Sequence, residues 1–394
     1  MLDTAIHDLL TLLPIPGPPA QEKAVADFLQ QTLVAMGIPH NQICYDRAQD
    51  QSEYGGNVGN LIVKIAGKQT GPTLMFSTHM DTVPDCVGCQ PRLDREGSRI
   101  INDAPGTALG GDNRAGCAIL LTLARRLMTL AGEHPPIVLV FFVQEEVGLV
   151  GARGLDVTLL GEDLPAMCVN LDGGRVAEVV TAVIGSQRFT IDITGVAAHA
   201  GSRVAEGVSA AIIASQAIAE LAQAGWHGRI QKPEGRGTAN VGILEGGKGS
   251  NVVMPALHIL AEARSHNPHF RRLIIDTWQT AFRRAAQNVT NIHGEQGAVV
   301  FGPGPTYEAY SLPDDAPVVR QVQQAAALIG LPIKLVSDDG GMDANWVVAH
   351  GIPCVTLNIG QRDIHTPHEW IDLHDFERAC QLVIAIATTQ KVAG

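Results

Sequence analysis

The run Ile137-Val-Leu-Val-Phe-Phe-Val143, continued by Gln144-Glu-Glu-Val-Gly148, decides how the chain is read. An unbroken apolar run of strand length, rich in β-branched and aromatic residues, suits a strand covered on both faces. The two glutamates that follow then stand at its carboxyl end, the edge at which open α/β sheets build their sites.

Working outward, strand-like runs lie at 61–65, 73–76, 167–171 and 353–357, each ending in a glycine-rich or polar turn. Helix-length segments at 21–36, 116–130, 317–329 and 376–389 alternate with them, and this alternation predicts an α/β fold. From about Ser186 the texture changes. Phe189, Ile191 and Ile193 alternate with Thr190, Asp192 and Thr194, the period-two pattern of a sheet with one face in water. Helices at 208–224 and 270–288 follow, the second placing Phe270, Ile274, Trp278 and Ala281 on one stripe. A strand at 298–301 closes the segment, and the α/β texture resumes after 311–313. The expected organisation is an α/β domain over 1–185 and 309–394, interrupted by an α+β domain over 186–308. Two domains are the ordinary expectation for 394 residues.

Composition narrows the function. With 45% hydrophobic and 17% charged residues the chain reads as an ordinary globular protein. Its net charge of −12, without a lysine- or arginine-rich block, argues against nucleic acid or anionic lipid as partner. Residues 1–13 carry Asp3, His7 and Asp8 where a signal peptide needs a basic start and an unbroken apolar stretch. The densest apolar run is too short to span a bilayer. Seven scattered cysteines suit a reducing compartment, so a cytoplasmic protein is expected. Cys86 and Cys89 form the only CxxC, and with no second pair or nearby histidines they read as loop thiols rather than a structural zinc site.

The acidic and imidazole side chains fall at strand ends. His79 and Asp81 follow the run ending at Phe76, Glu145 and Glu146 the run ending at Val143, and Asp172 the run ending at Leu171. Asp112 stands in the glycine-rich turn Leu109-Gly-Gly-Asp-Asn-Arg-Ala-Gly116 before a helix, and His365 in the loop after Leu357. Any one of these acids alone is best read as a solvated loop residue. Together they would concentrate negative charge with few cations beside it, and divalent metal ions neutralise such a cluster; nitrogen and oxygen ligands suit zinc, with cobalt or manganese as alternatives. By spacing alone either His365 or His368 could reach a metal.

Five ordered motifs carry a resemblance: Ser77-Thr-His-Met-Asp-Thr-Val-Pro84, Gly110-Gly-Asp112, Gln144-Glu-Glu-Val-Gly148, Leu171-Asp-Gly173 and Ile364-His-Thr-Pro-His-Glu369. The chain resembles the two-zinc aminoacylase and carboxypeptidase family, and within it the peptidase T-like tripeptidases. The resemblance implies a zinc-exopeptidase-like domain with a mixed, mostly parallel sheet, helices on both faces, and an inserted lid and dimerisation domain. It implies that Asp112 bridges two zinc ions, that His79 and Asp172 complete one site, and that Glu146 and His365 complete the other. Glu145 is then the general base, and Asp81 orients the His79 ring from behind; the alternative for Asp81 is a cap on the next turn. The family pattern, a ligand before a short turn ending in glutamate, selects His365 with Glu369 over His368.

The inserted segment has its own candidates. Gly195-Val-Ala-Ala-His-Ala-Gly-Ser202 resembles the family turn whose histidine polarises the scissile carbonyl, which nominates His199. Gly246-Gly-Lys-Gly-Ser-Asn251 and Glu262-Ala-Arg-Ser265 resemble segments that bind a substrate carboxylate, nominating Asn251 and Arg264; the alternative for Arg264 is an ion pair with Glu262. Gly340-Gly-Met-Asp343 resembles a turn lining the substrate pocket, which adds Gly341 and Asp343. The implied activity is cleavage of an amide bond in a small peptide by a tripeptidase-like aminopeptidase. A carboxypeptidase, a dipeptidase or an N-acyl-amino-acid deacylase shares the same metal core, and a metal-binding protein without activity is the distant alternative. The resemblance also implies a homodimer formed through the inserted domain, with His199 reaching the partner's site.

Overall fold

The computed structural model describes residues 2–389. The chain divides into two compact units, the first comprising residues up to Val183 and from Ser311 onward, the second Ile184–Tyr310.

The first unit is built on a mixed sheet. From one edge its strands are Ile43–Tyr45, Leu61–Ile65, Ile137–Phe142, Leu74–His79, Met167–Leu171, Cys354–Leu357 and Glu178–Val183. The four strands from Ile137–Phe142 to Cys354–Leu357 are mutually parallel, and Lys334–Asp338 pairs in parallel with Glu178–Val183. Every residue of Ile137–Phe142, Leu74–His79 and Met167–Leu171 is buried. Successive side chains of a strand point to opposite faces, so this burial requires cover on both. The helix Gly111–Thr129 is itself buried without a break from Gly111 to Ala124, as befits an interior helix. Gly116 sets its distance from the sheet: a Cβ there would lie 2.0 Å from Thr78 Oγ1 and 2.6 Å from Asn113 Oδ1.

Strands expected at 61–65 and 167–171 are formed over those residues. The one expected at 73–76 runs on to His79. Ser77 and Thr78 are polar yet buried, Ser77 donating to Asn170 Oδ1 at 2.9 Å across the sheet, and this polarity hid the last turn of the strand from the apolar pattern. The helix expected from 116 starts at Gly111, although Asp112 and Asn113 keep non-helical angles. A small sheet of Gln361–Arg362, Trp370–Asp372, Arg99–Asn102 and Pro91–Leu93 was not legible, its strands being short and mostly polar. No helix among the described residues is long and apolar enough to cross a membrane, and all seven cysteines are free, Cys86 and Cys89 as buried thiols.

The second unit is an antiparallel sheet in the order Gly228–Lys232, Gly235–Gly246, Ala256–Ser265, Gly185–Thr194, Ala298–Tyr307. Helices Ala210–Gln223 and Pro268–Asn288 share one core with the sheet. Pro268 opens the second helix, and Asn267 caps it by accepting from the His269 and Phe270 N–H groups. Its Trp278 is fully buried, edge-on to Phe189, and donates through Nε1 to the Trp226 carbonyl at 2.7 Å. The strand expected at 298–301 extends to Tyr307; Gly302, Pro303, Gly304 and Pro305 masked its second half.

Candidate active site

Two groups of ligand-type side chains meet at Asp112. Its Oδ1 lies 3.1 Å from His79 Nε2, and Asp172 Oδ2 lies 3.9 Å from the same nitrogen. Its Oδ2 lies 3.1 Å from His365 Nε2, which is 3.0 Å from Glu146 Oε1. In each group, His79–Asp112–Asp172 and Asp112–Glu146–His365, the donor atoms lie within 4.8 Å of one another. His79 also groups with Glu145 and Glu146, which sets Glu145 beside both. His368 belongs to none of these groups among the described residues. Asp372, His374 and Asp375 form a further cluster; Asp372 caps a helix and Asp375 pairs with Arg362.

The charges show the cost of gathering these groups. Burial pushes Asp172 and Glu145 well above the usual carboxylate range, opposed by His79 and reinforced by neighbouring carboxylates. Burial also raises Glu146 against its bond from His365. Burial would raise Asp112, but bonds from His365 and His79 hold it below the ordinary range. Bonds to Asp112 and Glu146 push His365 up to about 10. His79 rises too: burial works against its charge, and Asp112, Asp81 and Glu145 outweigh it. The imidazoles thus hold protons that a cation would replace, the behaviour of a ligand set.

Other residues position these. His79 Nδ1 lies 3.1 Å from the Asp81 carbonyl oxygen, an obligate acceptor, so Nδ1 keeps its proton, and Nε2, which bonds Asp112, is the nitrogen whose proton a cation would replace. The fully buried Asp81 carboxylate accepts from the Glu145 N–H at 3.0 Å and the Glu146 N–H at 3.1 Å. It therefore holds the tandem glutamates rather than capping its own turn. Glu369 accepts from the N–H groups of Leu109, Gly110 and Asp112 at 2.7–3.0 Å and so clamps the glycine turn. Two further residues had no sequence signal. Glu22, buried, accepts from the Gln144 N–H at 3.1 Å next to Glu145. Gln361 bonds both Asn113 Oδ1 and the Gly173 N–H, tying the turn to the strand end that bears Asp172.

Gly341 stands in the turn between Lys334–Asp338 and Ala344–Ala349. Asp343 begins that helix, fully buried, with no hydrogen-bond partner for either carboxylate oxygen. Burial, opposed by His79 and helped by Asp81 and Glu146, pushes it up to about 8.

In the second unit, Ala200 N–H donates to the Asn251 carbonyl at 3.0 Å and Val253 N–H to Ala198 at 2.9 Å, which pairs His199 with Val252 in an antiparallel bridge, one residue from Asn251. His199 Nδ1 accepts from the N–H groups of Gly201 and Ser202 at 3.2 and 3.1 Å. A neutral ring in this position carries its proton on Nε2, as an exposed donor. Arg264 forks Glu262, Nε to Oε1 at 2.9 Å and Nη2 to Oε2 at 3.2 Å, so the ion pair considered as the alternative is formed.

A model of peptidase family M20/M25/M40 matches residues 75–389. The chain is 32% identical over 381 residues to the protein YqjE of Bacillus subtilis (strain 168), covering 97% of this chain and 96% of that one. The aminopeptidase PepT of Bacillus cereus ATCC 10987 is 30% identical in its crystal structure, with 98% of both chains covered and a TM-score of 0.83. A tripeptidase of Staphylococcus aureus subsp. aureus Mu50 is 26% identical, with 98% of both chains covered and a TM-score of 0.86. With a family model spanning most of its length and peptidase T-type relatives aligned end to end, the chain belongs to peptidase family M20/M25/M40 and is a metallopeptidase.

Proposed function

We propose that the chain is a two-zinc exopeptidase of the tripeptidase type, removing the N-terminal residue of small peptides in the cytoplasm. The observation that carries this reading is Asp112, which turns one oxygen to His79 and the other to His365. His79 and Asp172 would hold one ion and Glu146 and His365 the other, a nitrogen and oxygen set that suits zinc, with cobalt or manganese as alternatives. When bound, such ions lower the pKa of a water molecule and polarise the scissile carbonyl.

The chain's own groups do the rest. Glu145, fixed through its N–H by Asp81, takes the proton of the attacking water and delivers it to the leaving amine. His199 presents Nε2–H to the carbonyl oxygen as negative charge develops there. Asn251 and Arg264 receive the substrate carboxylate; Glu262 occupies the Nε edge of Arg264 and leaves Nη1 for it. Gly341 and Asp343 line the pocket. We further propose a homodimer through the second unit, where Ala298–Tyr307 is an edge strand with one neighbour and Ile212, on Ala210–Gln223, is 48% exposed. The same core would serve a carboxypeptidase, a dipeptidase or an N-acyl-amino-acid deacylase, and only the pocket distinguishes them.

The test is hydrolysis of tripeptides, dipeptides, N-blocked peptides and N-acyl amino acids at controlled metal content. Cleavage of free tripeptides with release of the first residue is expected. Turnover confined to N-blocked substrates would replace the aminopeptidase reading with the deacylase one.

A further inference from the structure

One end of the open face of the second unit's sheet gathers positive charge in a chain whose net charge is −12, while Asp192 and Glu245 stand opposite His258 farther along the same face. On Ala256–Ser265, Leu257, Ile259, Ala261 and Ala263 are buried in the core, while Glu262 and Arg264 alternate onto the other face. Strand register carries the same face to the neighbours. Glu262 stands opposite Arg188, and Arg264 opposite Ser186, on one side; Arg264 stands opposite Thr238 on the other. Arg229 and Gln231 then stand opposite Thr238 and Arg236.

Arg188, Arg264 and Arg236 therefore run diagonally across three adjacent strands, with Arg229 two strands from Arg264 in its own row. Diagonal neighbours on one sheet face are about 7–8 Å apart, within reach of long side chains. Glu262 is the single acid in these rows, and both its oxygens are taken by Arg264. Glu262 stands opposite Arg188 but spends both oxygens on Arg264, so no acid of these rows offsets the charge left on Arg188, Arg236 and Arg229. An anion with more than one carboxylate does.

We propose that the face binds a second carboxylate of the substrate, so that preferred substrates end in aspartate or glutamate. The proposal rests on the exopeptidase reading, in which Arg264 meets the α-carboxylate. Arg188 and Arg236, its diagonal neighbours on either side, then meet the side-chain carboxylate with planar, permanently charged forks suited to two oxygens.

The zinc-loaded full chain is assayed with Ala-Ala-Glu and Ala-Ala-Gln, and titrated calorimetrically with glutamate and with glutamine. The native protein is expected to favour Ala-Ala-Glu in kcat/KM by about tenfold or more, the range of one charge-assisted contact. Arg188→Gln and Arg236→Gln should each draw that ratio towards unity and weaken glutamate binding in parallel. Equal kcat/KM for the two peptides, with glutamate bound no tighter than glutamine, overturns the anion site and leaves the exopeptidase reading standing. A glutamate preference that both variants keep also overturns it. Glutamate binding that depends on Arg188 and Arg236, without cleavage of either peptide, supports the site and removes the exopeptidase reading.

Discussion

Asp112 faces two imidazoles with its two oxygens, and its neighbours are arranged to keep it there. Glu369 holds the turn it stands on, and Asp81 holds both His79 and the glutamate pair. The tandem glutamates share one anchor yet differ in partners, since Glu146 bonds His365 and Glu145 does not. Glu145→Ala should therefore keep its metal and lose activity by about 10²- to 10⁴-fold, the range of a positioned general base. Glu146→Ala should lose metal as well, read by elemental analysis beside the rate. Equal metal content and full activity in both would contradict the assigned roles. A pH effect follows from the same charges. His365 is raised to about 10 by Asp112 and Glu146, and Asp343 to about 8, chiefly by burial. Both retain in the folded state protons that the unfolded chain has released by about pH 7. The folded state then binds more protons than the unfolded one, so the stability these groups supply is present at low pH and lost as pH rises through their folded values. Melting of chelator-treated protein should fall steadily from pH 7 to 10, more steeply than that of the loaded protein; a flat profile would contradict the proton-holding clusters.

Among the elements, the helix Gly111–Thr129 and the strand Leu74–His79 form the frame on which both groups hang. The strand delivers His79 and the helix start delivers Asp112, and Gly116 lets them approach. Gly116→Ala would put a methyl group against Thr78 Oγ1. The expected cost is about 1–3 kcal/mol, as for overpacking in a tight core, read as a lowered melting temperature of metal-free protein. An unchanged melting curve would mean that the helix can move away from the strand at little cost. The periodicity of the sequence located both elements, because apolar runs and amphipathic stripes are local properties. It missed the polar end of the strand at Ser77 and Thr78, whose burial depends on partners such as Asn170 far along the chain.

For the whole molecule, assembly is the open prediction. If the second unit pairs two copies and His199 serves the partner's site, mixing inactive His199→Ala with inactive Glu145→Ala subunits should restore part of the activity. A hybrid dimer then holds one site with both residues intact. A mixture that stays inactive after verified subunit exchange would confine His199 to its own chain or remove it from catalysis.

The order of motifs along the chain determined the fold class, the family and the set of acids and histidines at the strand ends. Short-range patterns encode those features, and a resemblance carries them intact. Tertiary structure alone decided which group holds which. It set Asp81 under the glutamates instead of on its own turn, joined Glu22 to Gln144 and Gln361 to Gly173, and closed Arg264 on Glu262. It also aligned Arg188 and Arg236 beside Arg264. Such pairings depend on strand register and on contacts between residues distant in sequence, where a shift of one residue turns a side chain to the opposite face.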